Sequence, residues 1–235
     1  LGRVANKKII TSFFGFDIEY EYLQNEKTGS ETQGSQTALV SAMNTDAYDF
    51  SYTYDDKGNL TEIYRDGYKT NRFYYDDLGQ LIREDIRSKR ITILYTYDDG
   101  GNIVQKDYHS YLPEYNDSYA IGAYKTIAYT YDSQWKDLLV NYDGTAITYD
   151  EIGNPQNWRD GMSFSWTGRQ LDSVTKDGVT TTYTYDSNGL RTSKTTGDDV
   201  TEYTYLGSSL VYQVPNRGQS DEESLYFYYD ETGIA

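Results

Sequence analysis

Aromatic and hydroxyl-bearing residues alternate in short stretches of this chain, and the alternation has a period of two. Tyr52-Thr53-Tyr54, Tyr95-Thr96-Tyr97 and Tyr183-Thr184-Tyr185 each put two rings on one side of an extended backbone and the threonine on the other. Tyr, Thr, Ile and Val suit a pleated surface, so these stretches predict strands. No stretch carries a convincing 3.6-residue apolar period. The three prolines, Pro113, Pro155 and Pro215, leave the strands unbroken, so almost no helix is expected.

Each alternating stretch runs into a turn. In Asp55-Asp56-Lys57-Gly58-Asn59, Asp76-Asp77-Leu78-Gly79-Gln80 and Asp98-Asp99-Gly100-Gly101-Asn102 the first carboxylate can cap the turn, and the glycine can take the left-handed conformation that closes it. Leu60, Leu81 or Ile103 then starts the return strand. The whole phrase, Tyr-x-Tyr-Asp-x-x-Gly-(Asn/Gln/Arg)-Leu, accounts for most of the 28 tyrosines. Its marker aromatics are Tyr54, Tyr75, Tyr97, Tyr131, Tyr149, Trp166, Tyr185, Tyr205 and Tyr229, separated by 21, 22, 34, 18, 17, 19, 20 and 24 residues. A spacing near 20 holds two short strands and two turns, which is a β-hairpin and too short for a βαβ unit. The expected fold is therefore all-β: repetitive antiparallel hairpins in an open, twisted and curved ribbon.

The interruptions divide the chain. Residues 1–47 read as degenerate repeats with a long polar loop from Asn25 to Gln36, and 48–235 as the hairpin array proper. The array carries an excursion at 107–125 and a polar, acidic loop at 215–224. Leu1-Gly2-Arg3-Val4 matches the middle of a repeat, as Leu78-Gly79-Gln80-Leu81 does, and Tyr229 to Gly233 stops inside another. Both ends thus read as cuts within a repeat of a longer polypeptide, with targeting segments outside the window.

Charge narrows the partners. Lys and Arg total 21 against 37 for Asp and Glu, a net charge of −16 that repels phosphate backbones and anionic lipid, so neither nucleic acid nor membrane insertion is expected. There is no cysteine, hence no disulfide or thiolate metal site, and no apolar run long enough to span a membrane.

The phrase resembles the YD repeat of bacterial Rhs and wall-associated proteins, of the shell-forming components of insecticidal toxin complexes, and of animal teneurins. The likeness runs from about Tyr48 to Tyr229, and Trp166-Thr167-Gly168-Arg169-Gln170-Leu171 is similar to a variant found near the end of such arrays. The resemblance implies a hairpin ribbon that coils into a hollow shell, with neighbouring repeats as partners and, in toxin members, an enclosed C-terminal effector domain. It also implies a secreted or cell-surface location. Toxin shells end in an aspartate-dependent cleavage region containing Asp-Pro-x-Gly. Here the prolines follow Leu112, Asn154 and Val214, so that machinery is not in this segment. Nine hairpins at ~4.8 Å per strand make a ribbon of ~85 Å, which closed into a ring would be only ~27 Å across. An open sheet with exposed edge strands is expected instead.

Enzyme chemistry has little to build on, and no cofactor is expected. No nucleophile elbow, metal cluster or dinucleotide fingerprint appears, and carboxylate pairs for glycoside hydrolysis could be chosen at will from 37 acids. The acidic doublets lack the ligand spacing of a calcium loop and read as turn caps. The repeat tyrosines read as cross-strand ladders. Those of the excursion have no repeat role, so Tyr108, Tyr111, Tyr115, Tyr119 and Tyr124 are the candidate residues for an alternative function, binding a carbohydrate or cell-wall glycan. His109, alone among them, is expected as a solvated loop residue.

Overall fold

The computed structural model describes residues 3–10, 15–24, 36–112, 122–220, 222–230 and 233–234. Among these no helix forms. Strands pair with antiparallel neighbours in chain order, in two open sheets and a terminal strand pair. The loop expected at 25–36 lies outside the described residues, except Gln36.

The chain divides into two compact units, Leu1–Tyr129 and Thr130–Ala235. The first carries β1 (Asn6–Ile10), β2 (Gly15–Gln24), β3 (Gln36–Thr45), β4 (Asp49–Tyr54), β5 (Leu60–Arg65), β6 (Tyr68–Tyr75), β7 (Leu81–Ile86), β8 (Ile91–Tyr97) and β9 (Ile103–Ser110), followed by β10 (Lys125–Tyr131). The second holds β11 (Leu139–Tyr142), β12 (Thr145–Ala146), β13 (Asn157–Trp158), β14 (Met162–Thr167), β15 (Gln170–Lys176), β16 (Val179–Tyr185), β17 (Arg191–Thr196), β18 (Asp199–Leu206), β19 (Ser209–Val214) and β20 (Leu225–Tyr226), then the pair β21 (Tyr229–Asp230) and β22 (Gly233–Ile234).

Two kinds of turn alternate along the hairpins. The longer one is the Asp-x-x-Gly turn. In it Asp55 Oδ1 accepts the N–H groups of Lys57 and Asn59 at 3.0 and 2.8 Å, and Asp76, Asp98, Asp150 and Asp186 repeat the arrangement. The Asn102 N–H first of all, Trp135 N–H and Asn154 N–H likewise, hold the carboxyls of Asp98, Asp132 and Asp150 below the usual range; for Asp55 the first cause is the Asn59 side-chain amide. The shorter turn has two residues. Asp66-Gly67 and Asp177-Gly178 have φ of 52° and 77° each, the positive pair that a type I′ turn needs and that matches strand twist.

The phrases at Trp166 and Tyr205 depart from the expected long turn. Thr167 pairs directly with Gln170, and Leu206 with Ser209, so each turn is only Gly168-Arg169 or Gly207-Ser208. In both, the glycine alone has positive φ, 58° and 63°, as in a type II′ turn, for which glycine at the first position suffices.

Strand faces follow the period of two. Along β4, Phe50, Tyr52 and Tyr54 are half-buried while Ser51 and Thr53 are exposed; β14 repeats the pattern with Met162, Phe164 and Trp166 against Ser163, Ser165 and Thr167. A single sheet layer has little interior. The buried apolar side chains among the described residues are Ile93, Ile127, Ile147 and Val214.

Candidate functional site

The marker aromatics are fasteners between hairpins. Pairing register shifts immediately before Tyr54, Tyr75, Tyr97, Trp166, Tyr185 and Tyr205, a bulge that re-aims the side chain. The rings of Tyr54, Tyr75, Tyr97, Trp166 and Tyr185 then reach back to the preceding hairpin. The hydroxyls of Tyr54, Tyr75, Tyr97 and Tyr185 donate to the carbonyls of Val40, Leu60, Leu81 and Leu171 at 2.7, 2.8, 2.7 and 3.0 Å. Tyr149 and Tyr229 do the same with Leu139 and Leu210, and Trp166 Nε1 with Pro155.

These carbonyls are the ones the backbone ladder leaves over. Pairing between β5 and β6 stops at Glu62↔Arg72, and between β7 and β8 at Arg83↔Leu94, so Leu60 and Leu81 lie beyond the last rung. A buried carbonyl without a partner is costly, and the tyrosine hydroxyl supplies one. Burial pushes the hydroxyls of Tyr54, Tyr75, Tyr97 and Tyr149 up, which keeps them as protonated donors. The repeat tyrosines are thus occupied in construction, through a longer reach than the cross-strand ladder expected for them.

Basic side chains lie across several of the other rings. Arg65 sits 4.9 Å from the Tyr48 ring centre, Lys106 5.2 Å from Tyr95 and Arg191 4.3 Å from Tyr183. Glu62 gathers Lys69, Arg72 and the Tyr64 hydroxyl. Burial works against its charged form and is overcome by those three donors, leaving the carboxyl at about 2.

The excursion leaves the sheet over a buried polar cluster that sequence reading missed. Arg83, wholly buried, forks onto Asp85 at 2.8 and 3.0 Å and donates to the Leu112 carbonyl at 2.6 Å. Thr92, also wholly buried, donates to Asp85 and accepts the Leu112 N–H at 3.0 Å. Arg83 and Asp85 stand two apart on one strand, so alternation puts them on the same face; that spacing was the available signal. The cluster hooks the start of the excursion onto β7 and β8.

Of the five candidate tyrosines, Tyr115 and Tyr119 lie outside the described residues. Tyr108 belongs to β9, flanked by Ile93 and Lys125, so it does have a place in the sheet. Lys125 Nζ lies 5.8 Å from its ring centre. Tyr124 is largely exposed and donates its N–H to the Tyr108 carbonyl. Tyr111 is half-buried, its N–H on the Arg90 carbonyl at 2.9 Å. His109 corrects the expectation of a solvated loop residue. It is only 6% exposed and sits in β9 opposite Thr92, because the strand continues to Ser110.

Beside Tyr111 a cavity of about 850 Å³ opens, lined by Arg87, Ser88, Arg90, Ser110 and Tyr111. A second, apolar hollow of about 270 Å³ lies among Tyr20, Val40, Met43, Tyr52, Tyr54 and Leu60. Among the described residues no group of three His, Asp or Glu side chains is placed to hold a metal ion.

No family model matches the chain, and no curated protein resembles it closely enough in sequence to count as a relative. Solved structures do match, and three of them are of toxin complexes. A crystal structure of TcdB2-TccC3-Cdc42 matches 92% of this chain at 19% identity with a TM-score of 0.59, and one of TcdB2-TccC3-TEV matches 93% at 20% identity with a TM-score of 0.56. The Tc holotoxin pore of Photorhabdus luminescens matches 93% at 18% identity, with a TM-score of 0.54. At these identities the likeness establishes the fold, and it agrees with the YD-repeat resemblance carried by the tyrosine-aspartate phrase. The chain spans only 12 to 14% of the length of those proteins.

Proposed function

We propose that this chain is a non-catalytic wall segment of a larger, secreted or surface-exposed YD-repeat shell. The observation that carries the reading is the repeated aromatic fastener. Hairpin after hairpin is tied to the one before it by an aromatic donor at the same place, a tyrosine hydroxyl or, at Trp166, an indole N–H, and such a device serves extension of a wall without limit. The phrase residues are engaged within the sheet, which leaves them unsuited to substrate chemistry. Neighbouring repeats of the parent chain are then the principal partners, residues 1–47 and 48–235 being successive stretches of the hairpin array. An effector domain enclosed by the completed shell is the corresponding cargo. The toxin-complex structures support this through the shared fold.

Electron microscopy of the full-length parent polypeptide tests the proposal. A hollow particle whose wall is one β-sheet thick is the expected result. A solid globular particle, or an unclosed filament, would overturn it.

A further inference from the structure

We propose that the cavity beside Tyr111 binds an acidic saccharide, with Arg87 and Arg90 holding its carboxylate. In this chain acids outnumber bases by 37 to 21, so most basic side chains have an acid or a ring within reach. Lys8, Lys69, Arg72, Arg83 and Arg217 sit in ion pairs with acids from other positions, and Lys106, Lys125 and Arg191 lie over tyrosines. Arg87, Lys89 and Arg90, like Lys176 and Lys194, have no such partner among the described residues, and of these Arg87 and Arg90 share a cavity. Both are exposed, both line the same cavity, and neither side chain has a hydrogen bond or ion pair among the described residues. Lys89 stands between them, which makes the four-residue turn Arg87-Ser88-Lys89-Arg90 carry three positive charges in a chain of net charge −16.

The backbone holds this turn in place. Arg87 N–H donates to the Thr70 carbonyl at 2.9 Å and Arg90 N–H to the Arg87 carbonyl at 3.1 Å. The Tyr111 N–H on the Arg90 carbonyl then fixes the ring-bearing segment to the same turn. Guanidinium groups match a planar carboxylate with two parallel hydrogen bonds. Tyr111 adds an aromatic surface for the apolar face of a sugar ring, and the Ser88 and Ser110 hydroxyls can pair with sugar hydroxyls. The volume of about 850 Å³ is large enough for more than one sugar ring. At physiological salt charges are screened over roughly 8 Å, so the distant acids do not cancel the local attraction. Nucleic acid fits less well, since a backbone of phosphates would meet the acidic remainder of the surface.

Calorimetric titration of the intact chain with tri-galacturonate, neutral galactotriose and sodium sulfate tests this. Tri-galacturonate is expected to bind at least roughly tenfold more tightly than either of the others, and Arg87→Gln or Arg90→Gln to weaken it by roughly tenfold or more. Both positions are exposed, so the variants should keep the parent circular dichroism spectrum. Arg159→Gln, in the second unit, should bind as the parent does. Tyr111→Ala should lose the preference for the saccharide over sulfate. Equal binding of the neutral sugar, sulfate binding as tight as the saccharide, no binding of tri-galacturonate, or indifference to both arginine variants would each overturn the proposal.

Discussion

The two compact units share one set of turns and fasteners but fill their sheet faces differently. In Leu1–Tyr129 charged groups meet across the strands: Glu62 gathers Lys69 and Arg72, Arg83 and Asp85 are buried together, and Lys106 lies over both Tyr95 and Tyr129. In Thr130–Ala235 hydroxyl pairs predominate, against the single pair Thr53 with Thr61 among the described residues of the first unit, although Arg191 also lies over Tyr183 there. Thr175 meets Thr180, Thr181 meets Thr196, and Thr184 meets both Thr192 and Ser193, all at 2.7 to 2.8 Å. The turn carboxylates and the aromatic-to-carbonyl bonds recur in both. The fold therefore rests on the shared parts, while the faces differ in their chemistry, and the buried charges among the described residues lie in the first unit.

Removing the buried charge should produce the largest separation between the units. Arg83→Ala leaves Asp85, 3% exposed, without its counter-ion, and breaking a buried pair from one side costs roughly 3–5 kcal/mol. Hydrogen exchange resolved by mass spectrometry should show the loss in β7 to β9 and leave β14 to β19 near their original protection. Replacing both partners, Arg83→Met with Asp85→Leu, should recover much of the stability, since no lone charge remains. An equal loss of protection in both units would show that the cluster does not distinguish them.

Acid should separate the units next. The Glu62 carboxyl is held at about 2, against an ordinary value of 4.5, so its ionised form is favoured in the folded chain. Its contribution is complete above about pH 4.5 and is lost as pH falls through about 2. Turn carboxylates are lowered in both units, so they add an acid limb common to both. The expected excess in the first unit is removed by Glu62→Gln, measured as urea midpoint against pH with exchange to localise it. Identical acid limbs in parent and variant would refute the assignment to Glu62.

A smaller and equal effect is expected from the fasteners. Tyr97→Phe and Tyr185→Phe each remove one donor and leave the Leu81 or Leu171 carbonyl short of a partner, at a cost of about 1 kcal/mol. Because the device is common to both units, the two losses should agree within about 0.5 kcal/mol in chemical denaturation. Unequal losses would show that local packing, rather than the shared bond, sets the value.

Much of this was readable in the chain because hairpins are written locally. Period-two alternation at Tyr52 to Tyr54 and the aspartate-to-glycine spacing each act over a few residues, and Asp55 and Gly58 do in the structure what their chemistry suggests. The bond from Tyr75 to Leu60 spans 15 residues and depends on where the ladder ends, which alternation cannot show. Its trace was still present, since the separation from marker aromatic to the preceding leucine stays between 14 and 16 for Tyr75, Tyr97 and Tyr185. The short turns at Gly168 and Gly207 were hidden because a phrase keeps its aromatic and leucine while losing one residue between them and the capping Asp. The cavity was hidden for another reason: Arg87 and Arg90 stand out as basic residues of an acidic chain, but their nearness to Tyr111 comes from β9 pairing back along β8.

The smallest effect belongs to the hydroxyl pairs of the second unit, and its size decides what those pairs are for. Thr184 is exposed, and its hydroxyl meets those of Thr192 and Ser193 at 2.8 Å. Water can replace such bonds on an open face, so their net value is a few tenths of a kcal/mol. Thr184→Val keeps the branched shape that suits a strand and discards only the hydroxyl. A loss below about 0.5 kcal/mol, with near-zero coupling to Ser193→Ala in a double-mutant cycle, would mean that threonine serves this face through its shape. A coupling above about 1 kcal/mol would mean that the hydroxyl network holds the second unit much as charge holds the first, and the contrast between the faces would then be one of chemistry alone.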